Sequence, residues 1–341
     1  MSESSRHRRS ASWLVGLAVA SGVLAAARPL ARVVRRQRDA LAAADRRLLG
    51  PLAFVPMILH RAVLPLLRQS PPRAVRPDVR TERRAVPGPV GGPDVEIELY
   101  HPLHRSRPSG VLVWVHGGGY VMGSVAIGDT FCSDVAAEGV LVVSVEYRLA
   151  PEHPFPAPLD DVMAVLAWVL DHAVDLGVDP ERVAVGGDSA GGGLAAGAAQ
   201  RAHDEGLPVA FQLLVYPMLD DRTVQRAERD GEWALVWTPP ANRFGWTAYL
   251  GHAPGDRTPA PYAAPARRAD LAGLPPAWIG VGDIDLFHAE DVEYARRLRA
   301  AGVAVDLDVV PGMFHGGDRS SAVPAAEFRG RAREALRAAI G

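Results

Sequence analysis

A mostly parallel sheet flanked by helices, the α/β class, is what this sequence predicts, and three observations carry that reading. Short apolar runs recur between residues 95 and 310, several of them uninterrupted, as strands buried on both faces require. Helix-forming stretches separate them, which is the pattern of βα repeats. Glycine-rich turns close two of the runs, at the strand ends where α/β folds keep their chemistry.

The bulk properties fit one large core or two medium ones. The chain has 341 residues, 48% of them apolar, and 37 basic residues against 39 acidic, for a formal net charge of −2. All the basic residues are arginine. A near-neutral balance argues against a nucleic-acid surface, which needs clustered positive charge. The single cysteine, Cys132, excludes an internal disulfide and a cysteine-based zinc site, and is expected to pack as a small hydrophobe in a helix.

Taken in order, the elements begin with an uncharged run from Ser10 to Ala27. Arg6, Arg8 and Arg9 precede it and Ala25-Ala26-Ala27 closes it, the pattern of a secretory signal that also just reaches the length of a membrane span. Arginines follow as well, so orientation is not set. Residues 1–30 are therefore expected to be a signal or anchor, with membrane association through residues 10–27 and an anchored or exported location. The alternative is an alanine-rich soluble helix packed on a cytoplasmic protein. Residues 31–85 read as helices and then an exposed linker: Leu41 to Leu49 favours helix, whereas Pro71-Pro72-Arg73, Arg80, Arg83 and Arg84 interrupt regular structure.

A catalytic domain is expected over residues 86–341. Val95-Glu96-Ile97-Glu98-Leu99-Tyr100 alternates as a half-buried strand does. Continuous apolar strands follow at 111–115, 141–145, 183–185, 211–215, 277–281 and 305–309, with helices over 158–176 and 290–301 between them. The stretch 217–261 looks irregular and carries Trp233, Trp237, Phe244 and Trp246.

Two motifs sit at strand ends. Gly187-Asp188-Ser189-Ala190-Gly191 follows the run at 183–185 and opens a small-residue helix. A serine on a sharp strand-to-helix turn holds its hydroxyl out of the sheet edge, and the helix N-terminus favours developing negative charge. Alone the pattern is weak, because a glycine-rich turn with a solvated serine has the same letters. His116-Gly117-Gly118-Gly119-Tyr120, directly after the run ending at Val115, changes that weighting. Successive glycines let backbone N–H groups approach a substrate oxygen, and the N–H of Ala190 would complete such an oxyanion hole.

With both motifs present, the chain resembles the bacterial hormone-sensitive-lipase family of α/β-hydrolases. The likeness extends through Glu146-Tyr147-Arg148-Leu149-Ala150-Pro151-Glu152-His153-Pro154-Phe155-Pro156-Ala157, Asp285-Leu286-Phe287 and Pro311-Gly312-Met313-Phe314-His315, over roughly residues 85–340. It implies an α/β-hydrolase fold in which the insert at about 217–261 and the N-terminal helices form a cap. It also implies a serine carboxylic-ester hydrolase for short or medium acyl chains, acting through an acyl-enzyme without cofactor or metal. A deacetylase, an amidase or a lactonase would use the same chemistry. A non-catalytic ligand-binding member would lack the histidine that this chain keeps. The partner is a small-molecule ester; a homodimer is common among such proteins, but no interface signature is visible.

The acid and the base must follow Ser189 in that order. His315, in a glycine-rich loop after the last strand, is the expected base, and His288 is its rival at a helix start. Asp283 and Asp285 share one loop, so only one faces the base. The resemblance aligns Asp285 with the catalytic acid and leaves Asp283 to brace its loop. It also implies Gly118 and Gly119 as oxyanion donors and Glu152 as an anchor of the glycine loop, a plain buried salt bridge being the other reading. Asp188 is expected to order neighbouring backbone. Met122 and Met313 border the catalytic loops as candidate substrate contacts. Two departures stand out: Ala289, where an acidic residue is common in the family, and Ala263-Ala264-Pro265, where a serine often precedes the proline.

Overall fold

A computed structural model describes residues 34–54, 57, 59–68, 74–230 and 234–341. Contacts divide the chain into two units, residues 1–43 and 44–341. Of the first, residues 34–43 are helical. The run 10–27, expected as an anchor or export signal, lies outside the described residues. Among those described, no helix is long and apolar enough to cross a membrane.

The second unit is built on one eight-stranded sheet: β1 Val79–Val86, β2 Val95–Pro102, β3 Ser109–Val115, β4 Leu141–Glu146, β5 Val178–Asp188, β6 Phe211–Val215, β7 Ala277–Gly282 and β8 Val305–Val310, in the order β1-β2-β4-β3-β5-β6-β7-β8. β2 runs antiparallel to both β1 and β4, and every pairing from β4 to β8 is parallel. With its helical insert, this is the α/β-hydrolase fold. The continuous apolar runs are the interior strands: every residue of β3, β6 and β7 is buried. Burying each Val or Leu side chain there contributes about 1.5–3 kcal/mol, so these strands hold the frame that carries the loops.

Residues 79–86 correct the linker expectation. Arg80, Arg83 and Arg84 lie on β1, which pairs with β2 along eight residues. An edge strand with solvent at its faces tolerates arginine, and here the arginines meet carboxylates. Arg84 and Arg80 bracket Glu82, while Arg83 reaches Glu98 directly across the ladder. Charges on an edge also block pairing with another chain.

Helices Asp129–Ala137, Ala157–Asp171, Ala190–Glu205, His288–Ala300 and Val323–Ile340 pack on the sheet. Cys132 is fully buried in the first of them. The insert 217–261, expected to be irregular, contains helices Thr223–Asp230 and Pro239–Leu250. The second has local start and stop signals that the aromatic residues obscure in the sequence. Thr238 caps the N–H of Ala241, Pro239 occupies the first turn, and Gly251 ends the helix at φ +74.

Candidate active site

The serine turn is set by its glycines. Ser189 sits between β5 and helix Ala190–Glu205 at φ 58, ψ −121, a strained conformation that costs about 1–3 kcal/mol and must be held by its surroundings. A Cβ on Gly187 would lie 2.5 Å from the carbonyl oxygen of Val115, and one on Gly191 would lie 2.0 Å from it. Only glycine lets the turn press this close to the end of β3. The Ser189 N–H donates to Val215 at 2.9 Å, which fixes the turn to β6.

The loop after β8 brings His315 to that serine. His315 Nε2 is 2.9 Å from Ser189 Oγ and its Nδ1 is 2.9 Å from Asp285 Oδ2. All three side chains are buried. Asp285 Oδ1 also accepts the N–H of Phe287, which fixes its rotamer. Asp283, the other carboxylate of the loop after β7, faces away and accepts the N–H of Gly312 at 2.7 Å. It braces the loop that carries His315. His288, the rival histidine, begins helix His288–Ala300 and has no part in the cluster.

The glycine loop after β3 faces the same point. Gly118 is at φ +129 and Gly119 at φ +60, and both line the cavity together with Ser189. Ala190 opens the helix behind the serine, where first-turn N–H groups have no intrahelical acceptor. Among the described residues, no protein acceptor takes the N–H of Gly118, Gly119 or Ala190.

The stretch 146–157 buttresses this loop. The Tyr147 hydroxyl donates to the carbonyl of His116 at 2.9 Å, and its ring stacks on the His116 imidazole. Burial pushes the His116 pKa down, so that ring stays neutral. Arg148 pairs with the buried Asp161, and the Ala150 N–H donates to the carbonyl of Tyr120. Glu152 is not a buried salt bridge: its side chain is about half exposed and pairs with Arg68. Arg68 in turn donates to the carbonyls of Val121 and Ala150, both at 2.9 Å. Arg68 is therefore the residue that touches the back of the glycine loop, and Glu152 holds Arg68. Sequence reasoning had no signal for Arg68, whose partners lie more than 50 positions away.

Asp188 does order backbone. Its Oδ1 accepts the N–H of Gly117 at 2.8 Å, and its Oδ2 is paired with Arg319, a residue the sequence reading passed over.

The cavity above Ser189 has a volume of about 590 Å³. Leu48, Leu49, Met57, Met122, Trp237 and Phe314 give it an apolar lining. Residues 47–51, Ala53 and Met57 on one side and insert residues Val236 and Trp237 on the other thus both cover the loops around Ser189, and Thr238 joins them by donating to the carbonyl of Met57. Met313 does not line the cavity; it is fully buried beneath Gly317. Of the insert aromatics, Trp237 lines the cavity, whereas Trp246 is core against Tyr120 and Tyr249. Phe244 packs beside Leu64 and Val121, and Trp233 lies outside the described residues.

A family model described as an alpha/beta hydrolase fold matches residues 112–318. Carboxylesterase NlhH of Mycobacterium tuberculosis is 40% identical over 286 residues, spanning 80% of this chain and 88% of that protein. Ethyl acetate hydrolase of Pseudomonas putida is 36% identical over 232 residues, 66% of this chain and 71% of that one. Among solved structures, a bacterial heroin esterase superposes with a TM-score of 0.81 at 38% identity, covering 88% of this chain and 99% of its own.

Proposed function

The chain is a carboxylesterase of the hormone-sensitive-lipase branch of the α/β-hydrolases, and from that premise we propose that Ser189, His315 and Asp285 form its catalytic triad, with Gly118, Gly119 and Ala190 as the oxyanion hole. The observation that carries this reading is the single His315 ring, 2.9 Å from Ser189 Oγ on one side and 2.9 Å from Asp285 Oδ2 on the other. Asp285 next to Nδ1 selects the tautomer with the proton on Nδ1, which leaves Nε2 free to accept.

In the first half-reaction, Ser189 Oγ adds to the ester carbonyl carbon as its proton passes to His315 Nε2. The carbonyl oxygen becomes an oxyanion and takes hydrogen bonds from the N–H groups of Gly118, Gly119 and Ala190. They are fixed before the reaction, so they need no reorganisation in the transition state. Collapse breaks the bond to the alcohol oxygen, which leaves with the proton from His315. Water then attacks the acyl-enzyme, giving its proton to His315, and the carboxylic acid departs as Ser189 is re-protonated.

An apolar cavity of about 590 Å³ accommodates a short or medium acyl chain beside a small alcohol. A relative named for ethyl acetate hydrolysis supports the short end of that range. The test is a p-nitrophenyl ester ladder from acetate to palmitate with the full chain and its Ser189→Ala variant. Activity should peak at short chains and fall on the order of 10⁴-fold or more in the variant. Serine-dependent hydrolysis of amides or lactones without ester turnover would replace this reading.

A further inference from the structure

We infer that Arg319 is a positioning residue for this reaction: through its pair with Asp188 it fastens the three catalytic loops into one geometry and cancels a carboxylate charge beneath the oxyanion site. This rests on the triad and oxyanion hole proposed above.

The three loops leave different strands. The glycine loop follows β3, Ser189 follows β5, and His315 follows β8. Asp188, the residue before the nucleophile, has one oxygen on the N–H of Gly117 and the other on the Arg319 guanidinium. Arg319 ends the short 3-10 turn Gly317–Arg319, which begins one residue beyond His315, after Gly316. Asp188 thus links the nucleophile turn to the oxyanion loop, and Arg319 extends that link to the base.

Burial gives the pair its strength. The Asp188 side chain is 7% exposed, so water screens it little. The Arg319 side chain is 34% exposed, and what it faces is cavity on two sides. It lines the catalytic cavity and also a second one of about 270 Å³ bounded by Trp114, Phe131 and Phe328. Asp318 adds negative charge at its flank and accepts the hydroxyl of Tyr216 at 2.7 Å. The tie is therefore a charged wall between two cavities, added to the β3–β5 and β5–β6 ladders that already pair Val115 with Gly187 and Asp188 with Val215.

The charge also matters to the chemistry. Asp188 is adjacent to Ser189 and beneath Gly117, so its carboxylate lies close to where the tetrahedral oxyanion forms. Left uncompensated, that charge would oppose the oxyanion in the transition state while leaving a neutral ester in the ground state almost unaffected. Loss of Arg319 should therefore appear in kcat and not in KM.

The experiment compares Arg319→Met, Arg319→Lys, Asp188→Asn and the double variant Asp188→Asn/Arg319→Met in the full chain, with Ser189→Ala in parallel and Thr130→Ala as a control, since Thr130 lines the second cavity and not the catalytic one. Arg319→Met should lower kcat roughly 10- to 100-fold with KM within about threefold, the scale expected when catalytic groups shift by about an ångström. Arg319→Lys should recover most of that loss, since it restores the cation. On the Asp188→Asn background, Arg319→Met should cost less than about threefold, because the charge it answers is gone. Thr130→Ala should match the parent. A loss confined to KM, a Lys variant no better than Met, or losses that multiply in the double variant would overturn the inference. Should Arg319→Met fail to fold, the Lys variant and the kcat ratio of Asp188→Asn to the double variant decide it by the same criteria. Residual activity in Ser189→Ala would instead count against the proposed triad.

Discussion

Gly119 of the glycine loop and Trp237 of the insert are packed so closely that a Cβ on Gly119 would lie 2.1 Å from Trp237 Cη2. The indole thus sits directly on the glycine loop after β3, and its ring centre is 6.3 Å from that of His315. An insert residue closes the cavity above Ser189. Truncating it should lengthen the cavity: Trp237→Ala is expected to move the optimum of the ester ladder towards longer acyl chains. An unchanged chain-length profile would show that the ring is packing alone.

Asp283 and Asp285 make a second test, because they differ in what they hold. Asp285→Asn should lower kcat on the order of 10⁴-fold, since an amide beside His315 Nδ1 favours the wrong tautomer. Asp283→Asn loses only charge on the bond to the Gly312 N–H. It should cost less than about tenfold, and steady-state kinetics on p-nitrophenyl acetate would separate the two.

Glu290 gives a pH dependence of stability. Burial is the largest influence on it and pushes its carboxyl up to about 8, although it accepts the N–H groups of Leu219 and Asp220 and meets the Thr223 hydroxyl. The usual value is 4.5. Between about 4.5 and 8 the unfolded chain binds fewer protons than the folded one, so this group makes stability fall as pH rises through that window. Glu290→Gln keeps the acceptor oxygen and removes the titration. From pH 5 to pH 8 the parent Tm should fall more than that of the variant, by a difference on the order of 5 °C in calorimetry.

Arg68 and Glu152 separate a tie from its support. Arg68→Met removes the donors to Val121 and Ala150 and should lower both Tm and kcat, because the back of the glycine loop loosens. Glu152→Gln weakens a half-exposed pair worth about 0–1 kcal/mol and should leave kcat within about twofold. Equal effects of the two changes on kcat would reverse this order.

The α/β class, the strand positions from β2 to β8 and the two glycine motifs are all legible in the sequence, because each depends on local pattern. A buried strand must be apolar along its length, and a tight turn must be glycine where a Cβ would strike backbone, as at Gly187 and Gly191. β1 was not legible: its arginines are paid for by carboxylates on itself and on β2, and a composition reading sees only charge and proline. The insert helix Pro239–Leu250 was hidden in another way, since its caps are local but its aromatics suggested irregular lining.

By itself the sequence determined the class of fold, the serine turn, the glycine loop, and the chain order in which acid and base must follow. Family resemblance pointed to Asp285 over Asp283; tertiary structure put that carboxylate beside His315, and it alone decided that Glu152 acts through Arg68 and that Asp188 is answered by Arg319. The physical reason is distance along the chain. Those contacts join residues from 30 to 131 positions apart, and a charge leaves no periodic trace of the partner it will meet once the sheet has closed.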